Sequence, residues 1–125
     1  MTKNNLIILA VDDDMINLKL LKSMLMKTGN VAEVVEAKNG SDAIGVLKSR
    51  KDIDLILLDI IMPVMGGIEM LKVVRADDTL RQLPIIVLTT DETKKSDALE
   101  FGANGFLMKP IKKDDLLRKM ATVIV

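Results

Sequence analysis

Residues able to handle a charged group stand immediately after short apolar runs. Asp12 and Asp13 follow LIILAV, Asp59 follows LILL, Thr89 follows PIIVL, and Lys109 follows the segment 104–108. If these runs are neighbouring strands of one parallel sheet, the five side chains meet at its carboxyl edge, near the topological switch point, where open α/β sheets bind ligands. Three carboxylates gathered at low dielectric cannot all stay ionised and unpaired, and Lys109 supplies one compensating charge. A divalent cation is the natural remedy. Oxygen donors without imidazole or thiolate select a hard ion, Mg²⁺, with Mn²⁺ as the alternative. Mg²⁺ takes one or two carboxylates, keeps waters and bridges to phosphate, so the cluster suits a phosphoryl group. A carboxylate can act as covalent nucleophile in phosphoryl transfer. Lys109 and the metal would neutralise charge on the transferring oxygens, and the Thr89 hydroxyl could donate to a third.

Two absences narrow the chemistry. With no Cys, the chain has no disulfide, thiolate nucleophile or zinc–thiolate site. With no His, it is neither a phosphohistidine carrier nor a Ser-His-Asp hydrolase. Lys+Arg and Asp+Glu both number 18, and a balanced charge gives no support for direct nucleic-acid binding. Hydrophobic residues make up 49% of the 125, enough for a core, but no apolar run approaches the ~20 residues of a membrane helix. The opening MTKNNLIILAVDDD is too short in apolar residues and too acidic for a secretory signal, so a cytoplasmic protein is expected.

The elements that must position these residues alternate along the chain. Leu6–Val11 reads as a strand, and apolar residues at helical spacing follow over Met15–Thr28, stopped by Gly29-Asn30. Asp14 is placed to cap that helix. A strand over Ala32–Ala37 leads through the Asn39-Gly40 turn to a helix capped by Ser41 and running to about Ser49. Asp54–Leu58 is a strand, Met62–Gly67 a loop, Ile68–Arg75 a helix and Pro84–Leu88 a strand. Glu92–Phe101 is a polar helix with Gly102 at C′, Asn104–Met108 the last strand and Lys112–Val123 the last helix. This is (βα)₅. Continuously apolar strands are buried on both faces, so the fold class is α/β: a doubly wound, five-stranded parallel sheet with helices on each side. No linker, repeat or low-complexity segment interrupts residues 1–125, which read as a single domain. The fourth helix offers only Ala98, Leu99 and Phe101 as an apolar stripe and should be among the least stable elements.

The segments LIILAVDDD, LILLDIIMPVMGG, PIIVLTT and GANGFLMKP, in this order and spacing, resemble the receiver domain of two-component response regulators over essentially the whole chain. The resemblance implies a flavodoxin-like receiver fold with Asp59 as phosphoacceptor. Asp13 and Asp59 would ligate Mg²⁺ through side chains, Asp12 largely through water, and Ile61 through its backbone carbonyl. Thr89 would bond the phosphoryl group and move toward it, Lys109 would form a salt bridge with it, and Phe106 would be the aromatic switch residue. Lys109–Pro110 would be cis. The donor would be a histidine kinase or His-phosphotransfer protein. Transfer and hydrolysis would be self-catalysed, so the chain would be a switch rather than a turnover enzyme. The face of helix 4, strand 5 and helix 5 would be reshaped for a downstream protein, an effector domain or a second copy of the chain. No effector domain follows Val125, which suggests a stand-alone regulator, though ATVIV equally suits a boundary within a longer protein.

Three departures stand out. Gly66 replaces the family's usual Asp, which suggests a more mobile loop. Phe106 replaces the commoner Tyr and lacks its hydroxyl. Ile61 and Thr90 put bulk beside the acceptor, which implies slow hydrolysis. Other functions compete with the switch. Asp12-Asp13-Asp14-Met15-Ile16 approaches the DxDx[TV] signature of haloacid-dehalogenase-like phosphatases, but Ile16 misses its last position and Asp114-Asp115 are expected in a helix, not at a strand end. A flavodoxin-like cofactor carrier would need a phosphate loop where three aspartates stand. A phosphorylation-independent interaction module would not need every acceptor-site residue retained. Asn17 reads as a surface or locally hydrogen-bonded position, with contact to a phosphodonor as the lesser alternative.

Overall fold

The computed structural model describes residues 5–124. Five strands, β1 (Leu6–Val11), β2 (Val31–Ala37), β3 (Leu55–Asp59), β4 (Ile85–Thr89) and β5 (Gly105–Met108), form one parallel sheet in the order β2-β1-β3-β4-β5. Between them lie α1 (Met15–Met26), α2 (Gly40–Ser49), α3 (Gly67–Ala76) and α4 (Lys95–Glu100), and α5 (Lys113–Val123) follows β5.

The expected burial on both sheet faces is met residue by residue. Leu9, Val11, Ile56, Leu58, Ile85 and Val87 point to one side and pack with Ala43, Leu47, Met70, Leu71, Val74 and Ala98 of α2, α3 and α4. Their neighbours Ile8, Ala10, Leu55, Leu57, Ile86 and Leu88 point to the other and pack with Leu18, Leu21, Leu25, Leu116 and Met120 of α1 and α5. The alternation is the period of two inherent in a strand, here with both phases apolar.

The helices differ from expectation in places. The N-cap of α2 is Asn39, not Ser41: the Asn39 side chain accepts the Asp42 N–H, and Ser41 already lies within the helix. Asn is as strong a cap as Ser, and here it stands two residues nearer the strand. α1 stops at Met26, with Gly29 at φ +80 beyond it. The expected single helix over Glu92–Phe101 is a 3₁₀ turn (Glu92–Lys94) followed by the six-residue α4, in which only Ala98 is buried. α3 begins at Gly67, one residue before its expected start, and Gly66 caps it without a side-chain hydrogen bond.

Gly67 is fixed by close approach. A Cβ there would lie 2.5 Å from the Asp59 carbonyl oxygen and 2.7 Å from Ile60 Cα, both backbone. Gly45, on the exposed side of α2, would place a Cβ in open space. Gly45→Ala is therefore expected to stabilise the protein by about 0.5–1 kcal/mol through helix propensity. Gly67→Ala is expected to destabilise it by more than about 2 kcal/mol, because backbone cannot rotate away as a side chain can. Urea denaturation of the two variants checks both signs; a neutral Gly67→Ala would contradict the packing described.

Candidate functional site

The sheet register assembles the cluster. Val11 pairs with Leu58, Asp59 with Leu88, and Thr89 with Met108. Asp12, Asp59, Thr89 and Lys109 thus occupy successive strand ends along one edge, at the point where the order reverses around β1. Asp12 N–H reaches across to the Ala37 carbonyl, Ile60 N–H to Leu88, and Lys109 N–H to Thr89 at 2.8 Å, so the backbone of each site segment is held by its neighbour. Asp14 caps α1 as expected, its Oδ1 accepting the Ile16 N–H at 2.9 Å.

Asp12, Asp13 and Asp59 each offer a carboxylate oxygen within 4.8 Å of the others. Asp12 is 1% exposed and Asp59 7%, while Asp13 faces solvent. Lys109 Nζ binds Asp12 Oδ2 at 3.0 Å and lies 3.4 Å from Asp59 Oδ2. The other Asp12 oxygen accepts the Asp14 N–H at 2.9 Å. Burial pushes the Asp59 carboxyl up to about 6; the Lys109 charge opposes this, and Asp12 and Asp13 reinforce it. Burial acts to lower the Lys109 ammonium, but the hydrogen bond to Asp12 and the charges of Asp59 and Asp12 outweigh it and hold the group above its ordinary value. One half-buried cation thus serves two buried carboxylates, and a third carboxylate faces them from the solvent side. An all-oxygen set of this kind fits a hard divalent cation. Both oxygens of Asp12 have donors, whereas Asp59 meets Lys109 through Oδ2.

Thr89, also 1% exposed, accepts the Asp91 N–H on Oγ1 at 3.1 Å. Its own hydroxyl proton remains available to donate. Phe106 pairs in register with Val87 and packs, half-buried, on the α4 side of the sheet, with Lys95 Nζ 6.0 Å from its ring centroid. Ile61, 60% exposed, lies in the loop after Asp59, and Thr90 is exposed beyond Thr89. Lys109–Pro110 is cis. A groove of about 280 Å³ opens beside the acids, lined by Asn17, Leu20 and Met24 of α1 and by Lys109, Pro110 and Ile111. Asn17 therefore belongs to the rim of the site, not to an unrelated surface. Sequence reasoning missed the Thr89–Asp91 bond, although Asp91-Glu92-Thr93 carries the Asx signature of a turn start: Asp91 Oδ1 accepts the Thr93 N–H. Asp114 and Asp115 lie in the first turn of α5 and so cannot form a strand-end acidic pair.

Comparison with known proteins points to one family. The family model for the response regulator receiver domain matches residues 8–121. The chemotaxis protein CheY1 of Helicobacter pylori is 33% identical over 119 residues, covering 94% of this chain and 95% of that protein. The structure of the chemotaxis response regulator CheY4 of Vibrio cholerae superposes with a TM-score of 0.85 at 33% identity, covering 94% of this chain and 98% of that one. The receiver domain of a sensor histidine kinase from Pseudomonas aeruginosa PAO1, described with a magnesium ion coordinated in its active site cleft, gives a TM-score of 0.85 at 29% identity, covering 96% and 98%.

The raised Asp59 carboxyl has a consequence for stability without metal. A native pKa of about 6 against an ordinary 3.8 means that the folded chain holds this proton more tightly than the unfolded chain. Stability therefore falls as pH rises from about 4 through about 6, and ionised Asp59 costs ~2–3 kcal/mol by neutral pH. Asp59→Asn cannot ionise. In EDTA near pH 7.5 it is expected to resist urea better than wild type by that margin, and the gap should close as pH falls toward 4. Mg²⁺ should stabilise the wild type and narrow the gap. A gap independent of pH would show that Asp59 ionisation is not the cause.

Proposed function

The chain belongs to the response regulator receiver domain family, the phosphorylation-activated switches of two-component signalling, and on that premise we propose that Asp59 is its phosphoacceptor. The observation that carries the assignment is the cluster itself: three carboxylate oxygens within 4.8 Å, those of Asp12 and Asp59 bridged by Lys109, at the carboxyl edge of the sheet. Near neutral pH Asp59 is largely ionised and nucleophilic. Its oxygen attacks phosphorus on the donor's phosphohistidine, the P–N bond breaks, and an acyl phosphate forms while the imidazole departs. Lys109, already within 3.4 Å of Asp59, moves to a phosphoryl oxygen. The Thr89 hydroxyl donates to another. Asp13 and Asp59, with Asp12 and the Ile61 carbonyl, would hold Mg²⁺ or Mn²⁺, which would supply positive charge against the phosphoryl oxygens.

Receiver domains take their phosphoryl groups from histidine kinases, and a histidine kinase or His-phosphotransfer protein is the donor proposed here. Exposed Met15, Ile16 and Leu20 on α1 offer it an apolar landing beside the acids. When Thr89 shifts toward the phosphoryl group, Phe106 turns inward and the α4–β5–α5 face changes. A downstream protein, an effector domain or a second copy reads that face. Residues 1–125 act as one receiver unit in the cytoplasm, without touching nucleic acid or membrane. Among the described residues no helix is long and apolar enough to cross a membrane. Hydrolysis, like transfer, is catalysed by the chain's own residues, and the phosphatase and phosphorylation-independent readings are not favoured.

Incubation with acetyl phosphate followed by intact mass spectrometry tests the assignment. One phosphoryl mass is expected, dependent on Mg²⁺ and absent from Asp59→Ala. An adduct that survives Asp59→Ala or forms without metal would refute it. In a chase, the Ile61→Asn, Thr90→Ala double variant should lose phosphate roughly tenfold faster than wild type, a change of ~1.4 kcal/mol in barrier, because smaller or polar groups admit the attacking water. Equal lifetimes would show that bulk at these positions does not control hydrolysis.

A further inference from the structure

One guanidinium ties together two chain segments, 81–83 and 102–104, at the far end of α4. Arg75, in the last turn of α3, donates Nε and Nη2 to the Gly102 carbonyl at 3.0 and 2.8 Å. Its Nη1 donates to the carbonyls of Arg81 and Leu83 at 3.0 and 2.8 Å, and Nη2 also donates to Asn104 Oδ1 at 2.8 Å. All five donors of the planar fork are engaged. The same Asn104 oxygen accepts the Ile85 N–H, which ties the cluster to the start of β4. Every one of these acceptors is a neutral oxygen. Gly102 is fitted to the arrangement: its φ is +107, and a Cβ there would lie 2.8 Å from Arg75 Cγ and 2.9 Å from Nε.

The two ends of α4 are held very differently. At its C-terminal end the Ala103 N–H bonds the Ala98 carbonyl and the Gly102 N–H bonds Leu99, a Schellman closure lying directly on Arg75. At its N-terminal end Lys94 caps the helix without a side-chain bond, and nothing in the 3₁₀ turn is buried. That turn hangs from Thr89 Oγ1 through the Asp91 N–H. A hydroxyl drawn toward a phosphoryl group therefore pulls on the loose end of a helix whose other end is clamped.

We infer that Arg75 is the pivot of the switch, a positioning residue that pins the α4–β5 turn so that movement of Thr89 swings the N-terminal part of α4 about a stationary Gly102. The inference rests on the phosphoacceptor assignment and deepens it. Arg75 itself stands apart from the acidic cluster, so its loss should leave phosphoryl transfer intact.

Hydrogen exchange read by mass spectrometry on the full chain, with and without Mg²⁺ and beryllofluoride, tests it in wild type, Arg75→Gln and Arg75→Lys. In wild type, beryllofluoride should change exchange over residues 91–97 by roughly threefold or more while 101–105 stays unaltered, as expected of a local opening unit. In Arg75→Gln the response should spread into 101–105, with acetyl phosphate still labelling Asp59 at the wild-type rate. Arg75→Lys, which keeps the charge but loses the fork, should behave like Arg75→Gln. A wild-type response at 101–105 equal to that at 91–97 would overturn the pivot even if neither variant folds. So would a response still confined to 91–97 in a folded Arg75→Gln. Beryllofluoride without effect anywhere would remove the phosphoacceptor assignment and the pivot together.

Discussion

Charge crowding at the carboxyl edge of the sheet is the constraint on which this structure depends. Asp12 and Asp59 are buried and Asp13 looks onto them, yet among the described residues only Lys109 lies among them as a counter-charge. Such a site is unfavourable by construction, as the upward displacement of the Asp59 carboxyl records. An isolated buried charge costs several kcal/mol even after relaxation, so this edge suits a hard cation. The surrounding fold has to hold the acids in place against their repulsion. It does so with β1, β3 and β4, whose residues are nearly all fully buried and which are packed on both faces.

The parallel register turns that constraint into a device. The ends of β3, β4 and β5 are aligned by hydrogen bonds, so Asp59, Thr89 and Lys109 are joined through the sheet rather than through loops. Lys109 is anchored by its own N–H to the Thr89 carbonyl, which makes the two residues proposed to serve Asp59 members of one edge. Thr89 then differs from the rest by having a second bond, through its hydroxyl, to the first residue of the segment leading into α4.

Most of the fold and the acidic cluster were legible in the sequence for a physical reason. Buried parallel strands must be apolar in both phases, and a charged residue at the end of such a run marks the sheet edge, so LIILAV-Asp12 and LILL-Asp59 announce both strand and site. Boundaries set by local competition were less legible. Asn39 and Ser41 are both good caps, and only the path of the chain out of β2 decides between them. The break of the fourth helix into a 3₁₀ turn and a short α-helix follows from the Asp91 cap and the lack of apolar residues to bury, and periodicity alone does not reveal it. Arg75 left no signal at all. A basic residue in the last turn of a helix reads as a complement to the macrodipole, whereas its real acceptors lie up to 29 residues away in sequence.

Magnitudes show why α4 is the element that can respond. A neutral hydroxyl bond contributes only ~1 kcal/mol net, and so can reorganise only a segment whose own tether is of that order. The N-terminal side of α4 meets this condition, being held by the Thr89–Asp91 bond and the Asp91–Thr93 cap, with nothing in the preceding 3₁₀ turn buried. Its C-terminal side does not, since charge-assisted bonds from Arg75 are each about twice as strong as neutral ones and two of them reach Gly102 alone. α3, with Met70, Leu71 and Val74 wholly buried, is fixed by the core, and Arg75 carries that fixity to the turn after α4. A weak tether near the acceptor and a strong one away from it leave the molecule one soft direction, and the charge-crowded edge lies at the end of it that can move.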